Sequence, residues 1–204
     1  MTPEREATEQ QLLSGKKAVV IGQDSCFKDS VIDQFEKEGA VVLNKGEQIN
    51  APADILVNLT GDILETSELL SRVKHGELIC DGGSIINLVY NPDAISGFCS
   101  IDASQNIIAA SGGISELGKL YARELGRQRR VRVNTLLVGP VDTPEFWSLL
   151  EDTIDHETVL ATRTSPAIPE PHDISVAVVF FASHKSSFIT GTVFPLGDLR
   201  VREP

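Results

Sequence analysis

"GKKAVVIGQDSCFKDSVIDQFEKEGAVV", residues 15–42, holds the pattern that decides the fold. Residues 16–22 are a short apolar run rich in valine and closed by Gly22, and residues 28–40 carry Val31, Ile32 and Phe35 at helical spacing. The stretch predicts strand, turn and helix, with a second strand following at 40–44. Outward from it the strand pattern recurs at 53–61 ("ADILVNLTG"), 83–90 ("GSIINLVY"), 132–139 ("RVNTLLVG") and 191–197 ("GTVFPLG"). Helical patterns fall at 67–76, over a long stretch at 107–125, and around 144–153 and 172–183. Apolar strands alternating with helices predict an α/β fold, an open parallel sheet of about six strands buried on both faces. Ligands of such sheets lie at the carboxyl ends of the strands, around the first strand-to-helix turn.

Length and charge narrow the class. The 204 residues suit one domain, expected over 15–204 behind a flexible extension at 1–14. Eighteen basic residues against 29 acidic ones give a net charge of −11, which argues against nucleic acid and anionic membranes as partners. The one dense basic run, "RQRRVR" at 127–132, reads as a solvated helix end. Cys26, Cys80 and Cys99 lack disulfide or metal spacing, and the four histidines form no ligand pattern, so no metal is expected. No segment reads as a signal peptide or a membrane span, and the expected location is the cytoplasm.

Several segments, in order, resemble the short-chain dehydrogenase/reductase family. Residues 15–42 match its opening strand, glycine turn and helix; "DILVNLTG" resembles DxLVNNAG, and "GSIINLVY" resembles GSIVNISS. "YARELGRQRRVRVNTLLVGPVDTP" is similar to the long helix leading into RVNxxxPGxxxT, and "FFASHKSSFITGTVFPLGD" to the closing segment. The resemblance implies a Rossmann-like doubly wound sheet. It also implies cofactor contacts at Gly22, Lys28, Asn58, Gly61 and Thr143, and NAD(P) as the cofactor.

The departures carry as much information. Of the family's glycine turn only Gly22 remains, with Cys26 and Lys28 in the other two places. A Cβ at Cys26 intrudes where phosphate oxygens would sit, and Lys28 either opposes the helix dipole or pairs with a phosphate. The family's chemistry resembles a serine, tyrosine and lysine relay, whose positions here hold Tyr90, Ile107 and Ser111. Isoleucine has no proton to give, and serine carries no charge to assist one. Tyr90 reads either as a substitute acid or as a plug in the old pocket, whereas Tyr121 reads as packing. After the second strand a family member would carry a further helix, strand and helix, roughly 30 residues that the loop here cannot hold. The acidic residue that would take the ribose is not evident after Leu43, where Asn44, Lys45 and Gly46 follow.

Two functions follow as expectations. The first is a pseudoenzyme without nicotinamide chemistry and with no cofactor, similar to the degenerate amino-terminal half of the large β-ketoacyl-ACP reductases. It would act through binding or assembly, as a homodimer or higher oligomer or beside an active reductase. The small residues Ala109, Ala110, Gly112 and Gly113 on the 107–125 helix would allow close approach of a partner, or would pack the helix on its own sheet. The alternative is a divergent NAD(P)-dependent oxidoreductase acting on a small carbonyl, hydroxyl or acyl substrate, or a non-redox enzyme in the remodelled cleft. For the latter, the lid-like stretch at 143–164 offers Glu145, Trp147, Asp155 and His156, which also suit a solvated helix.

Overall fold

The computed structural model describes residues 11–43, 52–150, 154–161 and 167–197. Six strands form one parallel sheet: β1 (Lys17–Ile21), β2 (Val41–Val42), β3 (Ala53–Asn58), β4 (Ile79–Tyr90), β5 (Arg132–Val138) and β6 (Val193–Leu196). Their order is β2-β1-β3-β4-β5-β6, so the chain reverses direction across the sheet between β1 and β3. That reversal opens a crevice at the carboxyl ends of the two strands, where such sheets hold ligands. β2 is the edge strand beyond β1, and residues 44–51, including Asn44, Lys45 and Gly46, lie outside the described residues.

Helices cover both faces: α1 (Cys26–Lys37) and α7 (Pro171–Ala182) on one, α2 (Ile63–Lys74) and α4 (Ile101–Arg129) on the other. Val31 and Phe35 of α1 and Val178 and Val179 of α7 pack on Val20, Val57 and Ile86. Leu69, Leu70 and Val73 of α2, with Ala122 and Leu125 of α4, pack on Leu56, Ile85 and Val133. A strand buried on both faces needs a nearly continuous apolar run, which is why the strands are so legible. A third cluster sits at the carboxyl end of the sheet, built from α3 (Pro92–Ile95), α5 (Pro144–Leu149) and α6 (His156–Ala161) around Ile95, Phe98, Phe146 and Val159.

Local chemistry sets the helix starts. Ser25 caps α1 by accepting from the Lys28 amide at 3.1 Å, and Asp62 caps α2 by accepting from Leu64 and Glu65. α4 is longer than its apolar pattern, beginning at Ile101 behind the cap Ser100. It ends at Arg130 in the left-handed conformation (φ 56°). Packed chain also precedes Gly15: Leu13 is buried against the α1 face, and its amide bonds the Glu38 carbonyl at 3.0 Å.

The 127–132 run is not a uniformly solvated end. Arg129 turns inward to the carbonyls of Val73 and Ile79 and to Asp81, joining α4 to the start of β4. Arg132 donates to the carbonyls of Phe181 (3.0 Å) and Ser183 (3.1 Å) and to the Ser186 hydroxyl (3.0 Å), tying β5 to the end of α7. Val73 and Phe181 lie in the last turns of α2 and α7, where helix carbonyls lack intrahelical partners.

Candidate functional site

The crevice between β1 and β3 widens into a cleft of about 320 Å³. Its walls are Phe27, Leu59, Leu88, Val89, Val138 and Val141, and Gln23, Asp24, Tyr90, Thr143 and Glu145 supply its polar edge. Apolar walls with a few placed polar groups are what a small-molecule site requires.

Glu145 and Cys26 face each other across the mouth of this cleft. The Cys26 thiol donates to Glu145 Oε2 at 3.3 Å, joining the first turn of α1 to the first turn of α5. The Glu145 carboxyl is held below the ordinary carboxylate value, first by its own backbone amide, then by the Cys26 thiol, the Cys26 amide and the Thr143 hydroxyl. The thiol is pushed the other way, above its usual value, by burial first and by Glu145 second. Burial also raises Tyr90, to about 12, with smaller contributions from Glu145, Cys99 and Cys26. At neutral pH the cleft thus holds a neutral phenol and an ionised carboxylate.

Of the residues assigned to cofactor by resemblance, Gly61 and Thr143 line the cleft. Thr143 also caps α5, accepting from the Phe146 amide at 3.0 Å. Gly22 has a structural reason to be glycine: a Cβ there would stand 2.7 Å from Leu59 Cβ, and its φ is +149°. Lys28 points back into its own turn, with Nζ on the Gly22 carbonyl at 3.0 Å and on Asp24 at 2.9 Å. Asn58 is buried and committed: its amide donates to Thr66 (2.9 Å) and Asn87 (3.1 Å), and its oxygen accepts from the Thr60 amide and hydroxyl.

The three relay positions divide. Tyr90 lines the cleft, Ile107 packs with it against the third apolar cluster, and Ser111 is buried with its hydroxyl on the Ile108 carbonyl at 3.3 Å. Tyr121 packs against the α2/α4 core. Among the described residues of the lid-like stretch, Thr143 and Glu145 reach the cleft. Trp147 stacks on His156 at 5.8 Å and donates to Asp142, while Asp155 caps α6 through Thr158. Sequence reasoning named Cys26 and Glu145 separately but missed their pairing, which no local spacing signals because 119 residues separate them.

These residues do not fit a dinucleotide pyrophosphate. That group needs free amides and room at the start of α1, and here the protein's own Glu145 carboxylate meets the Cys26 thiol in that first turn, the Lys28 amide is given to Ser25, and the Lys28 ammonium is spent on its own turn. Among the described residues no group of three His, Cys, Asp or Glu side chains gathers to hold a metal. No described helix is long and apolar enough to cross a membrane.

The family model for enoyl-(acyl carrier protein) reductase matches residues 52–196. The chain belongs to the short-chain dehydrogenase/reductase family. Its human relative, (3R)-3-hydroxyacyl-CoA dehydrogenase, is 32% identical over 68% of this chain and 49% of its own length. An uncharacterized oxidoreductase of Mycobacterium tuberculosis is 30% identical over 81% of this chain and 64% of its own. The short-chain dehydrogenase/reductase chain thus spans about half to two thirds of those relatives. A dehydrogenase/reductase from Sinorhizobium meliloti superposes with a TM-score of 0.69 over 92% of this chain and 95% of that one, at 22% identity, which establishes the fold alone.

Proposed function

We propose that this member of the short-chain dehydrogenase/reductase family has left nicotinamide-dependent hydride transfer and acts through binding and self-assembly. The observation that carries this reading is the state of the relay positions. Ile107 is part of an apolar cluster and Ser111 is buried with its hydroxyl on its own helix, so neither relay position offers Tyr90 a proton or a cation. Assembly is supported by an exposed apolar stripe along α4, with Ile101 76% and Ile108 53% exposed and Gly112 open between them and Leu120. Gly113 belongs to the subunit itself, since a Cβ there would stand 2.0 Å from Ile63 Cδ1. The partner is a second copy or an active reductase presenting the same kind of helix face, in the cytoplasm.

Two measurements on the full chain test this. Ile108→Glu is expected to halve the sedimenting mass, and an unchanged mass would remove the α4 face as the interface. NADPH oxidation with a panel of ketones and keto-thioesters is expected to stay at the uncatalysed rate. Catalysed oxidation that falls in Tyr90→Phe would instead favour a second reading, a divergent oxidoreductase acting on acyl substrates as the human relative's name implies for that protein. The one structural observation in its favour is that Tyr90 lines the cleft.

A further inference from the structure

We infer that the cleft is a binding site for a small organic amine, an ammonium group on an apolar body. This rests on the reading that the cleft no longer holds a dinucleotide. The cavity, about 320 Å³ and walled mainly by apolar side chains, is large enough for a compact ligand. Its ionisable lining is Asp24, Tyr90 and Glu145, with no lysine, arginine or histidine among the described lining residues. The nearest cation, Lys28, is turned onto the Gly22 carbonyl and Asp24.

Two groups define where the ligand head would sit. Tyr90 is a half-buried phenol that lines the cavity at the end of β4. Glu145 stands close enough to influence that phenol and remains ionised at neutral pH. A carboxylate beside a neutral phenol offers acceptors on both sides, and an ammonium supplies donors to both. A phosphate or carboxylate ligand would meet Glu145, ionised at neutral pH and bonded to the Cys26 thiol in the first turn of α1, as a like charge. The net charge of −11 works in the same direction at longer range.

The test is calorimetric titration of the full chain with three amines (benzylamine, cyclohexylmethylamine and butylamine), each paired with its alcohol, and with benzoate. At least one amine is expected to bind about fivefold more tightly than its alcohol, the advantage an exposed ion pair supplies, with benzoate weakest. Glu145→Gln should erase that advantage while leaving the melting temperature near that of the parent, and Tyr90→Phe should weaken amine and alcohol together. Equal binding of amine and alcohol, failure of all three amines, or an amine advantage that survives in Glu145→Gln would overturn the inference. A parallel NADPH titration separates the two levels: no response to amines or NADPH sinks only the amine site, whereas NADPH binding sinks the reading beneath it.

Discussion

At the scale of single residues the cleft is governed by burial. Tyr90 is raised to about 12 mainly because its surroundings exclude water, so the folded chain favours the neutral phenol. Its contribution to stability is therefore complete below the unfolded value of about 10 and is lost as pH rises toward 12. Urea unfolding at pH 8, 10 and 11 should show a steeper alkaline decline for the parent chain than for Tyr90→Phe; parallel declines would place the hydroxyl in water. Glu145 should likewise slow the chemistry of Cys26, because a carboxylate beside the thiol opposes the thiolate. Iodoacetamide should label Cys26 several times faster in Glu145→Gln, read by peptide mass spectrometry, and an unchanged rate would mean that the 3.3 Å contact has no energetic weight. Little of this was legible beforehand. The family resemblance put Ile107 and Ser111 in the relay positions, counted back from the ARELG segment, but the Cys26–Glu145 contact depends on how the tertiary fold sets α5 against α1.

At the scale of elements, buried polar side chains join strands that the apolar pattern alone would leave loosely connected. Asn58 bonds across β3 and β4 and into α2 and the following turn, so Asn58→Ala strands Asn87 and Thr66 and should cost about 2 kcal/mol in urea unfolding. Arg132→Met removes the donors to Phe181, Ser183 and Ser186 and should cost roughly 2–4 kcal/mol, with Arg132→Lys recovering only part because one ammonium cannot span both carbonyls. A loss under 0.5 kcal/mol in either alanine or methionine variant would deny these residues a structural role. Strand positions were readable because β1 and β3 carry unbroken apolar runs, Ala18 to Ile21 and Ile55 to Val57. The basic run misled because lysine and arginine near a helix end look alike in sequence whether they point to water or to carbonyls. The starts of α2 and α4 were set late for a similar reason: their first turns are capped by Asp62 and Ser100, ahead of the recognisable apolar spacing.

Across the whole molecule, the sheet order keeps the crevice at the β1/β3 switch point, and the proposal is that the chemistry within it has changed. β2 is a two-residue edge strand, and the eight residues between Leu43 and Pro52 are too few for the further helix, strand and helix that the family resemblance implies. The exposed apolar residues of α4, with Leu64 of α2 at 77% exposure, form the surface on which self-assembly is expected. That surface was partly legible in the run of small residues, but Gly113 proved to accommodate Ile63, which only the packing of α2 against α4 reveals. The central proposal is that this cleft does not take a dinucleotide, the Glu145 carboxylate standing against the first turn of α1. Calorimetric titration of the intact chain with NADPH tests it most directly: the account predicts no saturable heat up to millimolar cofactor, and saturation at micromolar NADPH would contradict it.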